Sequence, residues 1–210
     1  MLEAVDLQCV RGGRTLFSGL GFRLGAGELL RIGGANGSGK TSLLRIACGL
    51  LVPTAGVVRW RSEDIRSLRE EFWRDLLYVG HANAIKDDLT AAENLATACA
   101  LAGVKADGGR ARAALGLLGL GGCEALPARV LSQGQRRRVA LARLALSEAV
   151  PLWVLDEPFT ALDAAAVECV QELIARHLAR GGAVVYTTHH EARIAAAVAL
   201  RIDLGTVHGS

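Results

Sequence analysis

The sequence lacks any run of apolar residues that is long enough to cross a membrane. Its longest uncharged run, residues 46–58, is interrupted by glycine and proline and falls short of the roughly 20 apolar residues that a membrane-spanning helix needs. The first residues, which include Glu3 and Asp6, do not resemble a signal peptide. We therefore expect a soluble chain, for which any association with a membrane has to come through a partner.

The sequence also lacks an excess of charge of one sign and any closely spaced pair of cysteines. Its 24 basic and 21 acidic residues give a formal charge of +3, which is too balanced to indicate a nucleic-acid or polyanion binder. The cysteines are scattered and odd in number, without the spacing of a metal site or a redox motif. We expect reduced thiols in a cytosolic protein at Cys9, Cys48, Cys99, Cys123 and Cys169.

What the sequence does contain is the pattern of a single α/β domain. Its 210 residues, 51% of them hydrophobic, suffice for one buried core, and no linker divides residues 1–210. Residues 82–148, which are rich in Ala and Leu, indicate a helical subdomain inserted into the sheet domain. The other predicted elements are strands at 2–7, 28–32, 152–155 and 183–188, one or two edge strands at 198–207, and helices at 41–50 and 164–180.

A glycine-rich segment lies between the second predicted strand and the first predicted helix. Backbone N–H groups at such a helix N-terminus can wrap nucleotide phosphates, and glycines are needed because side chains would block that approach. Lys40, one of only three lysines, would bring its ammonium group to the terminal phosphates, and the Thr41 hydroxyl would be a ligand of Mg²⁺. A glycine-rich turn that matches by chance is the alternative. The predicted nucleotide-binding residues are Gly34, Ala35, Asn36, Gly37, Ser38, Gly39, Lys40 and Thr41.

Two carboxylates, Asp156 and Glu157, follow the strand predicted at 152–155. Ligands of a parallel sheet lie at the carboxyl ends of its strands, so both acids would face the phosphate loop. Asp156 suits a metal site that holds Mg²⁺ through water. Glu157 suits a general base that polarises the attacking water, with Lys40 contributing charge neutralisation. An ordinary acidic turn after a strand is the alternative.

A second helix N-terminus with anion-binding character precedes the acid pair. Ser132 and Gly134 open a basic helix at 136–145 and would present free N–H groups to a phosphate. The other interpretation is a capping box, in which Ser132 and Gln135 stabilise the helix and nothing more. The two interpretations are compatible.

In their order along the chain, these motifs resemble those of the ABC ATPase family. Residues 131–135 are similar to its signature, 160–163 to its D-loop and 187–189 to its switch histidine, and the resemblance covers almost the whole chain. It implies a P-loop NTPase cassette with a mixed central sheet and an inserted helical subdomain, and ATP and Mg²⁺ as ligands. It also implies a homodimer in which the signature of one chain closes on the nucleotide of the other. The residues implied in these contacts are Ser132, Gly134, Gln135, Asp163 and His189, the last of which would reach the terminal phosphate and Glu157.

Two positions depart from the family pattern. The family places an aromatic residue near the N-terminus to stack on adenine, but residues 8–15 have none and offer Arg11 as a stacking cation. The family also has a glutamine between the sheet and the helical subdomain, where residues 78–83 have none. His81 or Asn83 would then reach Mg²⁺ or water in its place.

The finer pattern resembles one branch of the family, the ATP-binding subunits of the haem exporters of cytochrome c maturation. The similar stretches are 14–20, 80–81, 85–86, 89–91, 93–95 and 153–163. The resemblance implies peripheral attachment to integral membrane subunits at the cytoplasmic face of the inner membrane. It also implies that ATP hydrolysis drives the release of a haem-loaded chaperone.

Neither haem nor nucleic acid is expected to bind this chain directly, since no Cys-x-x-Cys-His motif occurs and the charge is balanced. Three alternatives remain open. The chain could be an ABC ATPase for another transported substrate, or a soluble ABC protein acting on DNA or ribosomes, although such proteins usually have coiled-coil inserts or two cassettes. A clamp that binds ATP without hydrolysis is the third, against which Glu157 and His189 argue.

Overall fold

The computed structural model describes residues 1–104, 106–188 and 194–205. The strands in these ranges are β1 (Leu2–Arg11), β2 (Arg14–Leu24), β3 (Glu28–Gly34), β4 (Ala55–Trp60), β5 (Glu63–Asp64), β6 (Leu76–Val79), β7 (Leu152–Leu155), β8 (Ala183–Thr187) and β9 (Val198–Leu204). The α-helices are α1 (Lys40–Ala47), α2 (Arg69–Arg74), α3 (Ala91–Leu101), α4 (Gly108–Leu117), α5 (Gln133–Leu141) and α6 (Ala164–Ala179). Short 3₁₀ helices at Ala128–Val130 and Ala142–Leu146 lie on either side of α5.

The strands form two sheets. In the first, β6, β7, β8, β3 and β9 lie side by side in this order, and each neighbouring pair is parallel. In the second, the order is β2, β1, β4 and β5, and each neighbouring pair is antiparallel. The sequence predicts a sheet that contains both parallel and antiparallel strands. In the structure, the two kinds of pairing occur in separate sheets.

The register of the parallel sheet brings the carboxyl ends of β3, β7 and β8 to one edge. Leu155 pairs with Tyr186, and Ile32 pairs with Thr187, so the residues that follow these strands meet there. Both β7 and β8 are buried along their whole length, as expected for continuous apolar strands in a sheet that is covered on both faces. This edge carries the phosphate loop after β3 and the acid pair after β7.

Helix α3 contacts both α4 and α5, and the three helices share one hydrophobic core with the parallel sheet. Thr90 before α3 and Ser132 before α5 each form a capping box, in which the hydroxyl accepts a hydrogen bond from the backbone N–H three residues later. Such caps satisfy N–H groups that have no partner inside the helix and contribute about 1 kcal/mol each. The capping box therefore determines the residue at which α5 begins.

The structure confirms the predicted strand at 152–155 and places both ends of the helix predicted at 164–180 within one residue. At the C-terminal end of the described chain, β9 pairs with β3 at the sheet edge. No helix in the described ranges is long and apolar enough to cross a bilayer. The cysteines carry free thiols, and Cys9, Cys48 and Cys99 are buried.

Candidate functional site

The predicted phosphate loop joins β3 to α1, and its lysine points back into the loop. The Lys40 Nζ donates hydrogen bonds to the carbonyl oxygens of Gly34 (2.8 Å) and Ala35 (3.1 Å). Gly39, directly before α1, has a φ of 103°, and a Cβ at this position would lie 3.1 Å from the Leu16 Cβ. A side chain there would be strained and crowded. The ammonium group of Lys40 thus lies against the loop that leads into the N-terminus of α1, and helix N-termini of this kind bind anions.

Asp156, directly after β7, connects the phosphate loop to β8. One carboxylate oxygen accepts a hydrogen bond from the Thr41 hydroxyl (3.0 Å), and the other accepts one from the Thr187 hydroxyl (2.8 Å). Asp156 is only 1% exposed, and a buried carboxylate requires such partners. The fold therefore brings the two predicted metal ligands, Thr41 and Asp156, into direct contact.

These two side chains fit a magnesium ion that arrives with a nucleotide. A hydroxyl and a carboxylate are the oxygen donors that Mg²⁺ prefers, and Mg²⁺ is usually bound by one or two carboxylates together with substrate phosphates. In the part of the chain that the structure describes, no group of three or more His, Cys, Asp or Glu side chains could hold a metal ion. The donors present match a shared site rather than a cage made of protein alone.

Glu157 has a backbone conformation that is uncommon for a residue with a side chain, with a φ of +50°. Its N–H donates to the Thr187 hydroxyl (2.9 Å), and its carbonyl oxygen accepts from the Arg137 Nη2 (2.9 Å). Together with Lys40 and Thr41, it lines a cavity of about 330 Å³ beside the phosphate loop. The predicted general base and the predicted phosphate-binding lysine therefore share one cavity.

Of the residues at the two departures from the family pattern, His81 lies at this cavity. His81 lines it, whereas Asn83 does not; the Asn83 side-chain oxygen instead accepts a hydrogen bond from the Arg137 Nη1 (3.1 Å). Leu16 lines the cavity, whereas Arg11, at the end of β1, does not. Of these residues, His81 and Leu16 therefore lie at the cavity of the phosphate loop, and Asn83 and Arg11 do not.

The second predicted anion site, at the start of α5, is built differently. The Ser132 Oγ accepts a hydrogen bond from the Gln135 N–H (3.2 Å), and the Gln135 Oε1 accepts one from the Ser132 N–H (2.8 Å). A Cβ on Gly134 would lie 2.7 Å from the carbonyl oxygen of Ala161 in the D-loop-like segment. None of the three residues Ser132, Gly134 and Gln135 lines the cavity of the phosphate loop. The capping box is confirmed, and a contact with the chain's own phosphate loop is not made.

Two further predicted residues remain, Asp163 and His189. Asp163 caps α6 by accepting a hydrogen bond from the Ala166 N–H (2.9 Å) and does not line the cavity. His189 lies outside the described residues. The sequence reasoning missed the roles of Thr187 and Arg137, which hold the backbone of Glu157 from its two sides. The position of Thr187 at the end of a buried strand next to β7 was a usable signal for the first of them.

Burial changes the ionisation of the groups around Asp156. Desolvation lowers the pKa of Arg137, and the negative charges of Asp156 and Glu157 counteract this effect. Burial raises the pKa of both Cys48 and Tyr78, and the nearby Asp156 charge raises them further. The thiol and the phenol therefore stay neutral at physiological pH, while the Arg137 guanidinium remains charged because its ordinary pKa is so high.

Comparisons with known proteins agree with this geometry. Residues 17–160 match the ABC transporter family. The chain is 55% identical over 203 residues to the cytochrome c biogenesis ATP-binding export protein CcmA of Nitrosospira multiformis, which covers 97% of this chain and 98% of the relative. It is 56% identical over 191 residues to the protein of the same name from Nitrosomonas europaea, covering 91% and 89% of the two chains.

Solved structures give the same picture. The dimeric structure of MJ0796, a bacterial ABC transporter cassette, is similar with a TM-score of 0.82 and 26% identity over 97% of this chain and 94% of that one. A dimeric post-hydrolysis state of the same cassette, bound to ADP and Pi, has a TM-score of 0.78 and 26% identity over 90% and 88% of the chains. The fold found here is therefore similar to that of cassettes that assemble as dimers.

Proposed function

The chain belongs to the ABC transporter family and, within it, to the cytochrome c biogenesis ATP-binding export proteins, and on this premise we propose that it hydrolyses Mg-ATP between two copies of itself to drive a membrane-embedded haem exporter. ATP binding and ATP hydrolysis follow from the family. The roles of individual residues, the magnesium ion, the membrane subunits and haem as the exported substrate are the proposed part.

The observation that carries the proposal is the hydrogen bond between Thr41 and Asp156 (3.0 Å), which joins segments 115 residues apart. It brings the phosphate loop and the acid pair to a single point, where Lys40 and Glu157 line the same cavity. A phosphate-binding cation, oxygen donors for a metal and a carboxylate base are the components that phosphoryl transfer to water needs. An incidental glycine-rich turn does not account for their convergence.

Each side chain then has a separate task. Lys40 and the first N–H groups of α1 bind the terminal phosphates, and Thr41 together with Asp156, through water, would hold Mg²⁺. When bound, the ion neutralises charge on the phosphates. Glu157 accepts a hydrogen bond from the attacking water and orients it, with His81 beside it in the cavity. Leu16, which lines the same cavity, would offer the nucleotide an aliphatic contact without aromatic stacking.

Attachment to membrane subunits is supported by apolar side chains that are exposed in the segment between α1 and β6. Val52 is 69% exposed and Trp73 is 44% exposed, and both line one groove of about 590 Å³. Leu50, which is also exposed, lines a neighbouring cavity together with residues of the segment 78–84. Exposed apolar patches of this kind mark interaction sites. We place the membrane subunits here, at the cytoplasmic face of the inner membrane.

The experiment that tests the proposal is purification of the tagged chain from membranes, followed by identification of its partners and measurement of ATP hydrolysis. We expect integral membrane proteins of cytochrome c maturation and an ATPase activity that Lys40→Ala lowers at limiting ATP by weakening ATP binding. Loss of a charge-assisted contact of about 1.5–3 kcal/mol lowers affinity roughly 10- to 100-fold. Co-purification of the membrane subunits of an unrelated transporter would contradict the assignment to haem export. Unchanged affinity of the Lys40→Ala variant for ATP would contradict the phosphate-loop assignment itself.

A further inference from the structure

Arg137 is the second of three consecutive arginines at the start of α5, and it is the buried one. It is 4% exposed, whereas the neighbouring Arg136 and Arg138 have side chains that are 28% and 20% exposed and pair with Asp87 and Asp163. Burial of a guanidinium is costly unless its donors find acceptors. The position of Arg137 therefore calls for a set of well-placed acceptors.

The guanidinium of Arg137 finds these acceptors in two separate segments. Its Nη1 donates to the Gly80 carbonyl oxygen (2.8 Å) and to the Asn83 side-chain oxygen (3.1 Å). Its Nη2 donates to the carbonyl oxygens of Asp156 (2.8 Å) and Glu157 (2.9 Å). One planar group thus connects the turn of residues 80–83 to the acid pair.

The connection matters because of the conformation of Glu157. A residue with a side chain persists at a φ of +50° only where its surroundings fix it. Here the Thr187 hydroxyl holds its N–H and Arg137 holds its carbonyl oxygen. The direction of the Glu157 side chain is consequently set by contacts on both sides of its Cα. Removal of one of them would let the backbone relax toward a commoner conformation.

We propose that Arg137 is a positioning residue that couples the turn of residues 80–83 to the orientation of Glu157, with Asn83 as its partner in the turn. This inference rests on the proposed function, because it assigns Glu157 to hydrolysis. It separates two steps: ATP binding depends on the phosphate loop, which Arg137 does not touch, and hydrolysis depends on the geometry that Arg137 maintains. A change in the conformation of residues 80–83 would reach Glu157 through the guanidinium of Arg137, which is rigid and charged.

The test compares Arg137→Gln, Arg137→Lys and Asn83→Ala in the full chain, with hydrolysis expressed per ATP bound at saturation. Arg137→Gln should bind ATP with unchanged stoichiometry and affinity and hydrolyse it roughly 10- to 100-fold more slowly, as expected for losing hydrogen bonds from a charged donor. Arg137→Lys should restore only part of the rate, because an ammonium group cannot span both segments. Asn83→Ala leaves the other three hydrogen bonds of Arg137 intact, so its rate of hydrolysis should fall only a few-fold, roughly.

A double variant distinguishes coupling from two independent effects. If Asn83 acts through Arg137, Asn83→Ala adds no further loss to Arg137→Gln. Arg176→Gln, which removes an exposed arginine paired with Glu172 on α6, is the control and should match the wild type.

Several outcomes would overturn the inference. A wild-type rate per bound ATP in Arg137→Gln contradicts it, and so do losses that multiply in the double variant. If Arg137→Gln does not fold, Asn83→Ala becomes the deciding variant, and a wild-type rate per bound ATP in that variant would overturn the inference. A failure of the wild-type chain to bind ATP would instead contradict the proposed function.

Discussion

The phosphate loop and the start of α5 both offer the N-terminus of a helix to an anion, but their surroundings differ. At the phosphate loop, Lys40, Thr41 and Asp156 hydrogen-bond within one chain and line a common cavity with Glu157. At the start of α5, Ser132 is exposed, its polar groups are satisfied by its own capping box, and it does not line that cavity.

The difference shows which half of the site the chain completes alone. The phosphate loop contains the cation, the hydroxyl and the acids that a nucleotide needs. The start of α5 has the N–H groups of an anion site and is followed by Arg136, Arg137 and Arg138, but it does not line the cavity of Lys40 and Glu157. It therefore suits a nucleotide that another copy presents, which is the assembly that the proposed homodimer requires. The predictions that follow separate the two halves.

The largest effect is expected for Glu157→Gln. This variant tests whether ATP binding and ATP hydrolysis at the phosphate loop depend on different residues. The amide cannot take up the proton of the attacking water, so hydrolysis should fall about 10²- to 10⁴-fold. ATP affinity should stay near the wild-type value, because Lys40 and the helix N-terminus are unchanged. The trapped nucleotide should hold two copies together, which light scattering of the ATP-bound variant would detect. Wild-type turnover would show that another group is the base.

The next effect tests the second half, and the chain offers a matched control. Ser132→Ala and Thr90→Ala remove the same kind of cap from α5 and α3, and each should cost about 1 kcal/mol of stability. Only Ser132→Ala should also slow hydrolysis, roughly 10- to 100-fold, if this serine contacts the nucleotide of a second copy. Thermal unfolding and ATPase rates at saturating ATP measure the two quantities. Equal rates in both variants would mean that Ser132 only caps its helix.

The sequence allowed the parallel sheet and its helices to be predicted better than the antiparallel sheet, because their signals are local. The strand β7 is a continuous apolar run bounded by Pro151 and Asp156, and α6 begins after the Asp163 cap and ends before Gly181. Of the antiparallel sheet, only part of β1 was predicted, as the strand at 2–7, and β2, β4 and β5 were not. Its strand β2 contains Gly19 and Gly21 and is exposed at most positions, so neither composition nor alternation identifies it, and its pairing depends on distant strands.

The place of Arg137 could not be predicted for a different physical reason. Three consecutive arginines on a helix point in directions about 100° apart, and nothing in their own sequence says which direction faces the protein interior. That choice depends on the turn of residues 80–83 and on the backbone of Asp156 and Glu157, which are far away in the chain. Local motifs therefore identified the groups proposed to bind the nucleotide and missed Arg137, which we propose orients one of them.

The smallest expected effect concerns the side-chain packing that supports the strand before Asp156. His177 on α6 stacks on Trp153 of β7, the strand that precedes Asp156, with ring centroids 3.8 Å apart and planes 6° apart. Burial lowers the pKa of His177 from its ordinary 6.5 to about 4. Between these values the unfolded chain binds more protons than the folded chain, so this contribution to stability is complete above pH 6.5 and is lost as the pH falls toward 4. Chemical unfolding of the wild type should show a loss of about 2 kcal/mol between roughly pH 7 and pH 5. His177→Leu should remove that part of the pH dependence, and an identical slope in the variant would show that the stacked imidazole is not its source.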